Sequence, residues 1–175
     1  MSDPVTLSIA ELSSPIGTLA LVASSAGLCW VGFDPEPGAV QAGLERRFGP
    51  VVLVPDPDPA GASSALRRYF EGDLKALDSI PVDTGGTPFQ QQVWMALRRI
   101  PAGQTWSYAD MASAVGRPSA TRAVGAANGA NPVGVVLPCH RVIGSNGSLT
   151  GFAAGLETKA WLLRHESGEA ALPGI

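Results

Sequence analysis

The chain has 175 residues, 45% of them hydrophobic, and a net charge of −3 at neutral pH. That is enough for one ordinary domain or two small ones with a packed core, and it excludes long disorder. No apolar run nears the roughly 20 residues that span a bilayer, and the N-terminus lacks the basic-then-apolar order of a secretory signal, which points to a cytoplasmic protein with no membrane partner.

The first third reads as strands. Apolar or alternating runs at 5–12, 18–23 and 28–33 are separated by Ser13-Ser14-Pro15-Ile16-Gly17 and Ser24-Ser25-Ala26-Gly27, both turn signals, so an antiparallel meander is expected. Helical patterns follow at about 39–48 and 63–71. Between them Pro55-Asp56-Pro57-Asp58-Pro59 must be irregular, because proline cannot donate to a ladder. Cys29, beside Trp30 in the third strand, reads as a core residue. A Gly, Asp and Pro-rich stretch ending at 86 divides the chain, giving an N-terminal domain at 1–80, a linker at 81–86 and a second domain at 87–175.

The second half opens with Thr87-Pro88-x-Gln90, which predicts an N-cap, proline at the first helical position and a capping box. Phe89, Val93, Trp94, Leu97 and Ile100 recur at helical spacing, so this helix buries one face. Next comes a helix-turn-helix: Ser107 caps a helix to about Val115, Gly116-Arg117-Pro118 turns, and Ser119 caps a second helix to about Asn128. That second helix offers Ala, Gly and a single Arg, where a major-groove reader needs several long polar side chains. Its smooth surface suits close approach to a backbone and a shallow minor groove with little sequence readout.

The apolar run Val133–Leu137 reads as a short buried strand ended by Pro138. It delivers Cys139 next to His140 and Arg141, and neighbouring cations are expected to lower a thiol from about 8.5 towards about 4–7, making Cys139 a candidate nucleophile. The two cysteines lie far apart, and with only two histidines they form no metal-ligand pattern, so neither a metal nor another cofactor is expected. A reducing compartment fits a free reactive thiol.

Residues 87–166 resemble the O6-alkylguanine-DNA alkyltransferases, also called methylated-DNA–protein-cysteine methyltransferases. The matching pieces run in the family's order: Thr87-Pro88-Phe89-Gln90, Gly103-Gln104-Thr105-Trp106-Ser107-Tyr108, Arg122-Ala123-Val124-Gly125, Asn131-Pro132, Pro138-Cys139-His140-Arg141-Val142, Gly151-Phe152 and Trp161-Leu162-Leu163-Arg164-His165-Glu166. The resemblance implies an α+β protein with a ribonuclease-H-like N-terminal domain, an antiparallel sheet with helices, that acts as a scaffold. Its C-terminal domain would be mainly helical, with the helix-turn-helix and an active-site loop.

The implied reaction is direct-reversal repair of duplex DNA. The protein flips out an O6-alkylguanine (O4-alkylthymine is a second implied substrate) because the alkyl carbon in the stack is out of reach of a pocketed thiol. Cys139 then takes the alkyl group irreversibly, once per molecule. Also implied are His140 as general base through a water and Glu166 as its hydrogen-bond acceptor, favouring imidazolium. Tyr108 would be proton donor to N3 of the departing base, Asn131 a hinge for the Cys loop, and Arg141 an ion-pair partner. Arg122 would enter the stack, with Ser119, Thr121, Ala123, Ala126, Ala127 and Asn128 along the DNA. Val142, Gly151, Phe152, Ala153 and Ala154, with Tyr108, would wall a pocket roomy enough for more than methyl. The expected partner is double-stranded DNA carrying O6-alkylguanine, bound by a monomer, with clustering along DNA left open.

Charge distribution permits this. Residues 1–86 hold five Lys and Arg against eleven Asp and Glu, a net of −6, while residues 87–175 hold seven against four, a net of +3. So modest an excess predicts moderate affinity and a shallow salt dependence. The rival readings are a lesion sensor that binds without repairing, which the reactive Cys139 disfavours, and a cysteine hydrolase, which lacks a Gly-rich nucleophile elbow. A transcriptional regulator is disfavoured by the poor base-reading capacity of 119–128.

Overall fold

The computed structural model describes residues 3–168. The chain divides into two units, Met1–Gly85 and Gly86–Ile175.

In the first unit, β1 (Val5–Ser14), β2 (Gly17–Ser24) and β3 (Gly27–Phe33) form the expected antiparallel meander. A fourth strand, β4 (Val51–Pro55), pairs parallel with β1 and makes the order β3-β2-β1-β4, so the sheet is mixed and the purely antiparallel expectation is corrected. The Val51–Val54 run sits directly after a helix, and a parallel partner 46 residues back leaves no hairpin signal in the sequence.

Leu19 to Ala23 of the central strand β2 are all buried, because both faces of the sheet are covered. On one side α1 (Ala39–Phe48) closes a cluster of Leu7, Val22, Cys29, Leu44 and Val51. Gly43 of α1 lies so close to the Trp30 indole that any Cβ there would collide with it. α2 (Ala62–Phe70) packs on β1 and buries Ala65, Leu66 and Tyr69. The stretch expected to be a linker partly belongs to this unit. Leu28 donates to the Pro81 carbonyl, Asp83 to that of Leu28, and the Asp83 carboxylate meets Arg47 at 2.6 Å and Ser24 at 2.6 Å.

In the second unit, α3 (Pro88–Leu97) carries the predicted capping box: Gln90 N–H donates to Thr87 Oγ1 at 3.1 Å and Thr87 N–H to Gln90 Oε1 at 3.0 Å. Its buried face holds Val93, Trp94 and Leu97, and the Trp94 indole N–H donates to the Ala127 carbonyl at 2.7 Å. That bond locks α3 against α5 (Thr121–Gly129), the second helix of the helix-turn-helix whose first is α4 (Tyr108–Ala114). Ser107 caps α4 in a second capping box, with Asp110. Ser119 does not cap α5. It lies in the turn, and Ala120 holds the cap position with no side-chain hydrogen bond.

The two-residue strands β5 (Trp106–Ser107) and β6 (Val142–Ile143) pair in parallel. β5 leads straight into Tyr108 at the start of α4, while β6 continues directly from the 3₁₀ turn Cys139–Arg141, so this small ladder ties the two segments together. The last helix, α6 (Leu156–Ser167), buries Lys159, Leu162 and Glu166, one stripe at i, i+3 and i+7. Among the described residues no helix is long and apolar enough to cross a membrane.

Candidate active site

The segment expected to be a strand before Cys139 is a buried turn instead. Asn131 organises it: its Oδ1 accepts from Val133 N–H at 3.0 Å, its Nδ2 donates to the Leu137 carbonyl at 2.8 Å, and Leu137 N–H closes back on Val133. Val135 takes a positive φ of 72° within it, a conformation a β-branched residue adopts only where its surroundings impose it. A run of buried apolar residues has no period, which is why the sequence could not separate strand from turn here. Asn131 was expected as a hinge for the Cys loop, and these are the bonds through which it holds that loop.

Cys139 is 7% exposed. Burial drives its thiol above the ordinary value, and the Asn131 amide and the Lys159 charge pull it back only in part. This reverses the expectation that His140 and Arg141 would lower it. Both side chains point elsewhere, into a buried network with Glu166.

In that network Arg141 Nε donates to Glu166 Oε1 at 2.7 Å, its Nη2 to Oε2 at 3.0 Å, and its Nη1 to the Ile100 carbonyl at 2.6 Å. His140 Nε2 lies 2.8 Å from Glu166 Oε2. Burial alone would raise the Glu166 carboxyl, but the His140 and Arg141 hydrogen bonds and charges outweigh it and bring the group to about 2. Glu166 is therefore an acceptor only, so His140 Nε2 must carry the proton it shares.

The imidazole itself is neutral at rest. Burial lowers it below its usual 6.5, Glu166 opposes, and Arg141 and Lys159 add to the lowering. Glu166 does favour imidazolium, as expected, but complete desolvation outweighs one carboxylate already paired with Arg141. What remains is His140 Nδ1, a bare lone pair, buried and without a hydrogen-bond partner among the described residues.

Two further residues belong here that the sequence reading placed elsewhere or missed. Asn128 was expected along the DNA. It is 4% exposed, and its Nδ2 donates to the Cys139 carbonyl at 3.3 Å. Lys159, unnoticed in the sequence, is fully buried and its ammonium donates to the carbonyls of Val142 and Thr150, both at 2.7 Å. Burial lowers its pKa, with the neighbouring Cys139 opposing. The available signal was the stripe of α6 itself, where a Lys and a Glu occupy core-facing positions on either side of Leu162.

The other predicted residues divide clearly. Phe152 stands edge-on to His140 with centroids 6.4 Å apart, Val142 is buried, and Gly151, Ala153 and Ala154 lie at least partly open. The Tyr108 ring faces Gly125 of α5, where an added Cβ would sit 3.9 Å away, and its hydroxyl is 2.8 Å from Thr150 Oγ1. On α5 the exposed positions are Thr121, Arg122, Ala123, Ala126 and Gly129, with Ser119 exposed in the preceding turn. Ala127 is buried under Trp94 and, like Asn128, faces inward, so both are corrected as DNA-facing positions.

Comparison with known proteins agrees with this anatomy. Residues 88–168 match the profile of the 6-O-methylguanine DNA methyltransferase DNA-binding domain, and residues 9–84 match that family's ribonuclease-like domain. A methylated-DNA–protein-cysteine methyltransferase of Methanosarcina acetivorans is 42% identical over 158 residues, 90% of this chain and 96% of that protein. One from Shigella flexneri is 58% identical over 109 residues, 62% of this chain and 64% of the relative, so the match spans less than two thirds of its length. Among solved structures, Mycobacterium tuberculosis OGT in complex with DNA superposes with a TM-score of 0.77 at 38% identity, covering 95% of each chain. With both halves matching one family in that family's domain order, the chain belongs to the 6-O-methylguanine DNA methyltransferases.

Proposed function

We propose that this protein repairs O6-alkylguanine in duplex DNA by transferring the alkyl group, once and irreversibly, to Cys139. The observation that carries the reading is the buried thiol beside a neutral His140 whose Nδ1 lone pair is unpaired while its Nε2 proton is fixed on Glu166. A thiol held protonated by burial cannot attack until its proton has somewhere to go, and Nδ1 is that acceptor, reached through one water. Glu166 stays ionised and stabilises the imidazolium as it forms, the role of the third member in a nucleophile–base–carboxylate triad.

The substrate enters from the exposed side of α5. Its surface of Thr121, Ala123 and Ala126 permits close approach to the minor groove, and Arg122 fills the gap left by the flipped base. In the pocket the sulfur–carbon bond forms as the O6–carbon bond breaks, and the electron pair passes to the base. Tyr108 protonates N3, so the base leaves neutral. The phenol recovers its proton from solvent as the imidazolium releases its own. Nothing in this site cleaves the resulting thioether, which accounts for single use.

The small side chains at Ala153 and Ala154 favour ethyl and benzyl adducts as well as methyl, and O4-alkylthymine as a second lesion. The protein binds as a monomer, and its two free thiols suit the reducing cytoplasm. Intact mass after incubation with a duplex carrying one O6-methylguanine tests the reading. The wild type gains a single methylene and Cys139→Ala gains none. Binding without any mass change would instead make this protein a lesion sensor.

A further inference from the structure

We infer that Thr150 is a positioning residue for Tyr108: its hydroxyl aligns the phenol before the base arrives and donates to the phenol oxygen as the phenol's proton moves to the base. This rests on the reading of Tyr108 as proton donor to the departing guanine.

The geometry is specific. Thr150 Oγ1 and the Tyr108 hydroxyl are 2.8 Å apart, and either can donate. Tyr108 is fixed from its own side by the Ser107–Asp110 capping box and by its ring's place over Gly125. Thr150 is fixed from the other. Its carbonyl accepts from the buried Lys159 ammonium, which also holds Val142, so one side chain of α6 ties together the two ends of the segment that leaves β6 and returns at Thr150. The segment's tip is closed by Gly144 N–H on the Ser148 carbonyl at 2.9 Å. A threonine whose backbone is pinned this way offers its hydroxyl from a nearly fixed point.

The chemistry follows from proton bookkeeping. While Tyr108 is a phenol it can accept from Thr150 and keep its own proton free for N3. When that proton transfers, negative charge develops on the phenol oxygen, and a hydroxyl already aimed at it strengthens its bond just then. An interaction stronger in the transition state than before it raises the rate rather than the affinity. The Thr150 proton stays on Thr150 throughout, and one N–H forms on the base as one O–H breaks on Tyr108.

The test is single-turnover methyl transfer from an O6-methylguanine duplex by Thr150→Val, Thr150→Ser, Tyr108→Phe and the Tyr108→Phe/Thr150→Val double variant. Valine keeps the shape of threonine and leaves the carbonyl bond to Lys159 intact. We expect Thr150→Val to slow transfer about tenfold with unchanged DNA affinity, as loss of one charge-assisted hydrogen bond requires. Thr150→Ser should stay within about twofold of wild type, and the valine should add nothing once Tyr108 is phenylalanine. Wild-type rates in Thr150→Val, failure of serine to restore the rate, or an equal slowing in the phenylalanine background would overturn the inference. Wild-type transfer by Tyr108→Phe alone would overturn the proton-donor reading and this inference with it, a result distinct from the others.

Discussion

Cys29 and Cys139 are both buried, and burial raises both thiols, Cys29 to about 11. Thiol acidity therefore does not distinguish them. Cys29 sits among Leu7, Val22, Leu44 and Val51 in the first unit's core, and the charges that act on it are Arg47 and the Asp83 carboxylate, which raises its thiol further. Cys139 sits on a turn whose backbone is held by Asn131 and Asn128, next in sequence to an imidazole whose Nδ1 has no partner among the described residues, and with the buried Lys159 ammonium acting on it. On the proposed reading, the thiol becomes a nucleophile through a route for its proton and access for its target. A depressed resting pKa is not required.

The largest effect that would break this contrast is on transfer itself. Cys139→Ala abolishes it, whereas Cys29→Ala leaves it unchanged and costs about 1 kcal/mol of stability, as a modest core truncation does. Parallel transfer assays and urea melts on the two variants check both halves.

Next is Glu166→Ala, which strands Arg141 in the interior. Removing one partner of a buried ion pair destabilises by about 3–5 kcal/mol, and the His140 tautomer loses its anchor, so transfer falls with stability. A variant that melts near wild type would show that the network is ornamental to the fold.

The pH dependence sharpens the same point. Glu166, held at about 2 against an ordinary 4.5, contributes stability that is present above 4.5 and is lost as pH falls from there towards 2. His140, held below 6.5, stays neutral when folded, so the unfolded chain takes up its proton first and stability also falls as pH drops through 6.5. The two slopes share a sign. Denaturation midpoints measured from about pH 8 down to about pH 2 should decline in two stages, and a flat profile would contradict the assignment. The smallest effect concerns DNA. Arg122→Ala should flatten the salt slope of duplex binding by about one and slow repair of duplex DNA, while sparing reaction with a free alkylated base.

Much of this architecture is legible in the residues, for identifiable reasons. Thr87-Pro88-x-Gln90 states its helix start because a capping box is purely local chemistry, and the Ala39–Phe48 helix matches its pattern end to end. β4 was illegible because its partner is distant and parallel, and Val133–Leu137 because burial hides whether a chain extends or turns. The site was legible as a set of residues through its family pattern, but its electrostatics were not. Sequence adjacency placed His140 and Arg141 beside the thiol as charges, whereas the 3₁₀ turn sends both side chains to Glu166. Lys159 reads as a solvated helical lysine until α6 is seen to turn it inward.

The most direct test of the central claim is to locate the methyl group by fragmenting the protein after reaction with excess O6-methylguanine duplex. The account predicts one methyl per chain, wholly on Cys139, with Cys29 unmodified and guanine restored in equal amount. Methyl on Cys29, or more than one lesion repaired per molecule, would contradict it.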